Sequence, residues 1–514
     1  MNTQTSGTQN RTAQELYTAM EQERQTYIDN AMSASELTLP YLYPRTTSAP
    51  FATTLSQPNH SFVVSGIQSL VNKLMLALLP ANSPFFRMSV DPVRLEEFRQ
   101  SDPAMYSELE LALMRYEKSV KTEMEETNLR QCISEAFYNL LVAGNALLYV
   151  PPSGNIRSFN LNKFCVRRDP NGNPNLIVIR ECIDSAEASK VLADGQFFGL
   201  KDGDVDLYTR IELVDDTWHI NQELEGAIVP DSDGTFKKEE LPYIPLRYIS
   251  VDGEHYGRGL VECYIGDIRA LNGLAKSLQE SAWIASRCIF QVEPSSVTDI
   301  GEFQNARNGG FVVSRADDIH AFQAGKYNDL RVALEMMNEI MDRLKSVFLL
   351  PSVRSAERVT AEEIRLVAVQ LEQALGGVYA VLSQELQLPL VRLFISRLSR
   401  TNKLPKLPGG LVKPVIVTGL EALGRVSDLE KLDMFLAGAT QTLGTGVLQY
   451  LNMEDYLKRR AAALGIDGYT SLVKPQDQVD QQQQQQQMQT SLDHMGPSIV
   501  QAMSKDATNN EQQE

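Results

Sequence analysis

Hydrophobic positions recur at helical spacing along most of the chain and change to strand-like runs in its middle. The longest helical pattern covers 357–394. Thr360 followed by Glu363 forms a capping box, in which the two side chains satisfy backbone N–H groups that a helix start leaves open. Ile364, Val367, Ala368, Leu371 and Leu375 then line one helix face. Gly376-Gly377 interrupts the run and is the expected place for a kink. Val378, Val381, Leu382 and Leu386 resume the pattern until Pro389, which is expected to bend or end the helix. A short polar loop, 351–358, precedes the cap and carries Arg354 and Arg358. On local pattern this is a bent core helix, or a loop and lever that move.

Other periodic stretches predict helices over 12–34, with Leu16, Met20, Tyr27, Ala31 and Met32 near one face, and over 62–79, stopped by Pro80. The stretch 104–150 reads as helical almost throughout. Between 155 and 250 short β-rich runs alternate with turns. Asn171-Gly172, flanked by such runs, signals a hairpin. One continuous helix is expected over 259–289, on the order of 45 Å long, with Leu260, Tyr264, Ile268, Leu271, Leu274, Leu278 and Trp283 in phase. A second is expected over 326–350, with Leu330, Leu334, Met337, Ile340, Met341, Leu344 and Phe348 in phase. Between them, 290–325 reads as a small β-rich excursion through IFQV, GGFVVS and IHAFQA. The region 426–472 is again helical, and a tract of seven glutamines, 481–487, lies in a low-complexity end. The fold class is therefore α+β, mainly helical. A β module carried on two long helices suits an interaction surface; a helical hairpin packed on a main domain gives the same pattern.

Composition narrows the chemistry. The 514 residues are enough for three or four domain-sized units. A net charge of −17 opposes a strong grip on DNA phosphates, which basic domains provide. The five cysteines are scattered without a CxxC, which fits buried thiols in a reducing compartment. The apolar runs around 74–79 and 138–150 fall short of a membrane span, so a soluble, cytosolically made protein without membrane insertion is expected. No Gly-Lys-Ser/Thr, HxxxH or GxSxG occurs. Asp202, Asp204 and Asp206 lack the glycine and glutamate of an EF-hand loop and read as a surface turn. No catalytic residue, metal ligand or cofactor is indicated. Arg354 and Arg358 either pair with neighbouring carboxylates or face a polyanion.

Seven segments, in order, carry a resemblance: LTLPYLYP (37–44), SLVNKLMLALLP (69–80), LLVAGNALLYVP (140–151), 241–274, ERVTAEEIR (357–365), 375–392 and TGLEALGR (418–425). Together they resemble the head-to-tail connectors, or portal proteins, of short-tailed phages of the podovirus type that encode their own RNA polymerase. The resemblance runs from about residue 12 to about 425 and thins over 183–235. It implies a portal fold assembled as a ring, typically of twelve copies, at one capsid vertex of the virion. It also implies a wing (1–258), a first stem helix (259–289), a clip (290–325), a second stem helix (326–350) and a channel loop (351–359). The kinked helix and the rest of the wing would be 360–425, the crown 426–472, and a Gln-rich disordered tail 473–514. The implied partners are double-stranded DNA in transit, the terminase large subunit, a tail adaptor, and the major capsid, scaffolding and internal core proteins. Assembly is expected in the host cytoplasm. The implied role is a non-enzymatic conduit, with Arg354 and Arg358 as possible DNA contacts. A packaging motor or nuclease subunit and a tail adaptor or internal head protein are the rival readings; the missing P-loop opposes the motor.

Overall fold

The computed structural model describes residues 11–45, 55, 57–80, 85–89, 103–184, 204–224, 226–286, 289–295, 299–307, 310–313, 315, 319–322, 327–350, 369, 373, 377–401, 415–418, 433–442, 444, 456–457 and 460. They form a mixed α+β structure. The chain divides into two compact units, Met1–Asn82 with Thr122–Thr401, and Ser83–Lys121 with Asn402–Glu514.

Helix α1 (Ala13–Glu36) starts at a capping box of Thr12 and Glu15 that the periodicity had not marked. The Glu223 carboxylate accepts the Ala13 N–H at 2.5 Å, placing negative charge at the positive end of the helix dipole. Leu16, Met20 and Ala31 are buried, as the pattern predicts. Helix α2 (Phe62–Leu78) ends before Pro80. Strand β1 (Phe86–Ser89) and helix α3 (Pro103–Glu125) follow.

The stretch 104–150 is not helical throughout. Helix α4 (Leu129–Ala143) stops at Gly144, which is left-handed at φ 75°, and Asn145–Tyr149 is strand β2. β2 is central in a three-stranded antiparallel sheet, between β3 (Arg157–Phe159) and β10 (Tyr243–Arg247). An apolar run such as ALLYV suits a buried helix or a buried strand equally; the sheet partners decide.

The β-rich region forms an antiparallel sheet in the order β4 (Phe164–Arg168), β5 (Pro174–Asp184), β6 (Asp204–Val214), β7 (Thr217–Leu224), β8 (Ala227–Ile228), with β9 (Gly234–Lys237) also on β7. The hairpin at Asn171-Gly172 joins β4 to β5. Gly172 is left-handed at φ 83°, and the Asp169 carboxylate accepts the Asn173 N–H at 2.7 Å. One face of this sheet packs on α1 through Cys165, Leu176, Val178 and Tyr208 against Leu16, Tyr17 and Met20. The expected surface turn around Asp204 and Asp206 is instead the start of β6, because Asp204 and Asp206 pair in register with Asp184 and Cys182 of β5. Asp206 also bonds Arg180 at 3.0 Å.

The expected single helix over 259–289 is interrupted. A one-turn helix α5 (Leu260–Cys263) ends at Tyr264, and α6 runs Ile265–Ser286, about 33 Å. The short turn belongs to the body: Leu260 and Val261 are buried, and Glu262 bonds Arg258 and Asn30. Strand β11 (Ile289–Val292), a short helix α7 (Ile300–Asn305) and strand β12 (Ile319–Phe322) follow, with β11 and β12 antiparallel. The excursion thus contains a helix that the β-rich pattern did not show. Residues 311–313 of GGFVVS are not in a strand.

Helix α8 (Tyr327–Val347) returns alongside α6, and Arg343 bonds Asp267 at 3.4 Å. Only the ends near the body bury their apolar stripe. Ile268, Leu271, Ala275, Ile340, Leu344 and Phe348 are buried, whereas Trp283, Ile284, Val332, Leu334 and Met336 are exposed.

Helix α9 (Gly377–Arg400) does not end at Pro389. It passes through a π-turn at Ser383–Gln387 and continues. Pro389 lacks the N–H and crowds the carbonyl four residues back; the wider turn ahead of it accommodates both. The two apolar runs noted in the sequence fall short of a membrane span, but α9, which that reading did not mark, is long and apolar enough to cross a membrane by length and composition. It is instead a core helix, with Leu390, Val391, Phe394 and Leu398 buried and Arg397 bonded to Glu123 at 3.1 Å.

In the second unit, β1 pairs antiparallel with β13 (Val415–Thr418), and Glu117 accepts the Met88 N–H at 2.6 Å. Residues 433–442 are helical. The Gln-rich end lies outside the described residues.

Candidate functional site at the flanks of residues 351–376

Arg354, Arg358, Thr360, Glu363 and Gly376 lie outside the described residues. Gly377 is the first residue of α9, and a Cβ there would meet nothing within 4 Å. What the structure supplies is the anchoring of both flanks of this segment.

On the entering flank, Phe348 is fully buried against Gly66 of α2. A Cβ at position 66 would lie 2.7 Å from the Phe348 ring, so only glycine lets the helices meet this closely. Leu349 then adopts a left-handed φ of 55°, which a side chain rarely takes. Two bonds hold that turn. The Leu350 N–H donates to the Lys345 carbonyl at 3.0 Å, and the Lys73 ammonium of α2 donates to the Leu349 carbonyl. Lys73 is itself buried, and burial lowers its pKa.

On the leaving flank, the Leu388 N–H donates to the Ser383 carbonyl, five residues back. Ser383 Oγ donates to Gln387 Oε1 at 2.8 Å, and Gln387 Nε2 donates to the Leu78 carbonyl of α2 at 2.7 Å. Glu385 accepts from the Arg247 backbone N–H at 3.2 Å and from its guanidinium at 2.8 Å. Helix α2 therefore holds both flanks, through Gly66 and Lys73 on one side and its last carbonyl on the other.

Behind Glu385, Arg247 neighbours a second buried guanidinium. Arg168 donates to the carbonyls of His255, Gly172 and Pro245 at 2.9–3.1 Å. Its pKa is pushed down to about 10 by burial and by the Arg247 charge, against the pull of Glu385. His255 Nδ1 accepts the Arg168 backbone N–H at 3.1 Å, which requires a neutral imidazole. Burial lowers the His255 pKa, Arg167 and Arg168 lower it further, and Glu23 opposes them. Burial lowers His60 in the same sense.

A histidine with a lowered folded pKa binds more protons when unfolded. The stability it contributes is complete above the unfolded value near 6.5 and is lost as pH falls through that value toward the folded one. The denaturation midpoint is therefore expected to drop between about pH 7.5 and pH 5.5. An unchanged midpoint across that range would contradict the neutral His255 acceptor.

Among the described residues no group of three or more His, Cys, Asp or Glu side chains could hold a metal ion. The arrangement of the described residues positions a backbone. Sequence reading missed Lys73, Arg247 and Glu385 because their partners are more than a hundred residues away. Pro389 inside an apolar helical run was the one signal available for the π-turn.

A family model described as bacteriophage head to tail connecting protein matches residues 10–470. The chain is 35% identical over 509 residues to the portal protein of Escherichia phage T7, covering 96% of this chain and 94% of that protein. It is 34% identical to the portal protein of Enterobacteria phage T3, over 88% of this chain and 87% of that one. For the portal protein of Enterobacteria phage SP6 the identity is 31%, over 82% and 81%. The match takes in both compact units, and the chain belongs to the bacteriophage head-to-tail connecting protein family.

Proposed function

We propose that the chain is the portal subunit of a short-tailed phage, forming a ring of about twelve copies at one capsid vertex. Double-stranded DNA passes through the ring during packaging and ejection. The observation that carries this reading is the match over nearly the whole length of both this chain and the T7 portal protein. The helix pair supports it. α6 and α8 bury their apolar residues only near the body and expose Trp283, Ile284, Val332 and Met336 farther out, surface that ring neighbours would cover.

In this reading α6 and α8 lie in the stem and 290–325 is the clip. The exposed Ile300, Phe303, Phe311 and Val313 of the clip offer apolar surface to the terminase large subunit first and a tail adaptor later. Residues 351–359 form the channel loop, 426–472 the crown and the remainder the wing. The ring contacts the major capsid, scaffolding and internal core proteins, assembles in the host cytoplasm and resides in the virion. It is a non-enzymatic conduit, and the packaging energy comes from the terminase.

Charge supplies the mechanism. About twelve subunits of −17 make a ring of roughly −200. DNA binding strengthens as a protein neutralises phosphates and releases counterions, so an acidic wall lets the duplex slide. Arg354 and Arg358 add a few cations that steady it without trapping it.

Native mass measurement and negative-stain imaging test the assembly, and a ring with a stem is the expected result. A fibre, or a species that stays monomeric in the infected cell, would overturn it. Replacing Arg354 and Arg358 by Gln is expected to leave ring formation intact while lowering DNA retention in filled heads several-fold. Unchanged packaging and retention would remove the two arginines from the mechanism.

A further inference from the structure

We infer that the π-turn at Ser383–Gln387 is a register element of α9, held in its wide form by strand β10 through Arg247. A π-turn accommodates one residue more than an α-turn. Rewinding it to α would turn the helix on its N-terminal side, 377–382, by about 100° and shift it by about 1.5 Å relative to 388–400. The two registers are discrete, because each backbone N–H bonds either the fifth or the fourth carbonyl before it.

Pro389 within the helix and two contacts from outside it hold the wide register. Pro389 removes the reward for rewinding at its own position, since it has no N–H to donate. The polar side chains of the turn are committed to fixed partners. Gln387, 1% exposed, donates to the Leu78 carbonyl, and Ser383 donates to Gln387. Glu385 binds Arg247 at two points, one of them the backbone N–H of β10. Arg247 is only 8% exposed, and its charge is crowded by Arg168, so this carboxylate is its necessary counter-ion. In the α register Glu385 would swing away from the edge of β10 and leave Arg247 buried and unpaired. The exposed residue of the turn is Gln384, which makes it the surplus position.

The lock is a property of the single chain, and its test reads no DNA, so it can fail while the portal reading stands. Two variants of the full-length protein are followed by amide hydrogen exchange with residue-level fragmentation. In Glu385→Ala the turn is expected to interconvert between the two registers, and the Leu388 amide, left without an acceptor during each passage, to exchange at least about tenfold faster, with α4 protection unchanged. Deleting Gln384 should yield a folded protein with a slow Leu388 amide, because the register becomes continuously α. A Leu388 amide unchanged in Glu385→Ala would overturn the inference. If Glu385→Ala does not fold, the deletion decides: a folded protein supports the inference, and an unfolded one overturns it.

Discussion

Gly144→Ala is expected to destabilise the unit formed by Met1–Asn82 and Thr122–Thr401 by about 2–5 kcal/mol or more. Gly144 ends α4 at φ 75°, which alone costs a residue with a Cβ about 1–2 kcal/mol. The larger effect is steric. The added carbon would sit 2.5 Å from the Arg258 carbonyl carbon and 2.6 Å from both the Gly257 oxygen and the Gly259 nitrogen. All three are backbone atoms, so no side chain can turn aside. They are also held in place. Asn145 donates to the Gly257 carbonyl at 2.8 Å and accepts its N–H at 2.7 Å, and the Tyr248 N–H donates to the Gly144 carbonyl at 3.0 Å. Overpacking into such a crossing adds about 1–3 kcal/mol or more, and the total approaches the stability of an ordinary domain. Gly154→Ala is the control. Its φ is 93°, yet its Cβ would meet nothing within 4 Å, so only the backbone cost remains, about 1–2 kcal/mol. Soluble yield and urea denaturation of the two variants measure the difference. Equal losses would mean that the crossing yields.

Arg24→Met is expected to destabilise the same unit by about 3–5 kcal/mol. Arg24 leaves α1 with 3% of its surface exposed. Its Nη1 donates to the carbonyls of Leu161, Asn162 and Phe164 at 2.9, 3.3 and 2.7 Å. Its guanidinium also lies 5.2 Å from the centre of the Tyr17 ring. The Tyr17 hydroxyl donates to the Asn162 carbonyl at 2.9 Å, and burial pushes its pKa up to about 12. Methionine would fill much of the volume but satisfy none of the three carbonyls. A lost donor from a charged group costs about 1.5–3 kcal/mol, and the Leu161 and Phe164 carbonyls that lose it add to that, while the Asn162 carbonyl keeps the Tyr17 hydroxyl. Arg24→Lys, one ammonium without the planar fork, should recover only part. Tyr17→Phe removes a single neutral donor and should cost about 1 kcal/mol. Chemical denaturation ranks the three; a methionine variant within 1 kcal/mol of the parent would refute the role of the carbonyl cluster.

The parts legible beforehand were those whose cause is local. The hairpin at Asn171-Gly172 needs only a glycine able to take φ 83° and an aspartate three residues earlier to brace the turn. Helices α1 and α2 follow from apolar spacing and, for α2, a proline stop. The strand at Asn145–Tyr149 was misread because one of its two partner strands, Tyr243–Arg247, lies about a hundred residues away and the other, Arg157–Phe159, is only three residues long. The run at 259–289 was over-extended because its first turn answers to Arg258, Asn30 and the buried body, none of which affects periodicity. Of the candidate site, the irregularity around Pro389 was visible, whereas the kink expected at Gly376-Gly377 is untested because Gly376 lies outside the described residues. The contacts from Lys73 to Leu349 and from Arg247 to Glu385 were not, because neither pair shares an element or a motif.

By itself, then, the order of residues determined the family, through short segments matched in sequence along the chain. It determined the acidic character, and it determined the elements whose hydrogen bonds close within a few residues. The tertiary structure alone decided where the long helices break, which half of each of the paired helices α6 and α8 is covered, and that Pro389 lies within a helix. Those outcomes depend on side chains brought together from distant positions, where burial makes an unpaired charge or carbonyl costly enough to overrule local preference.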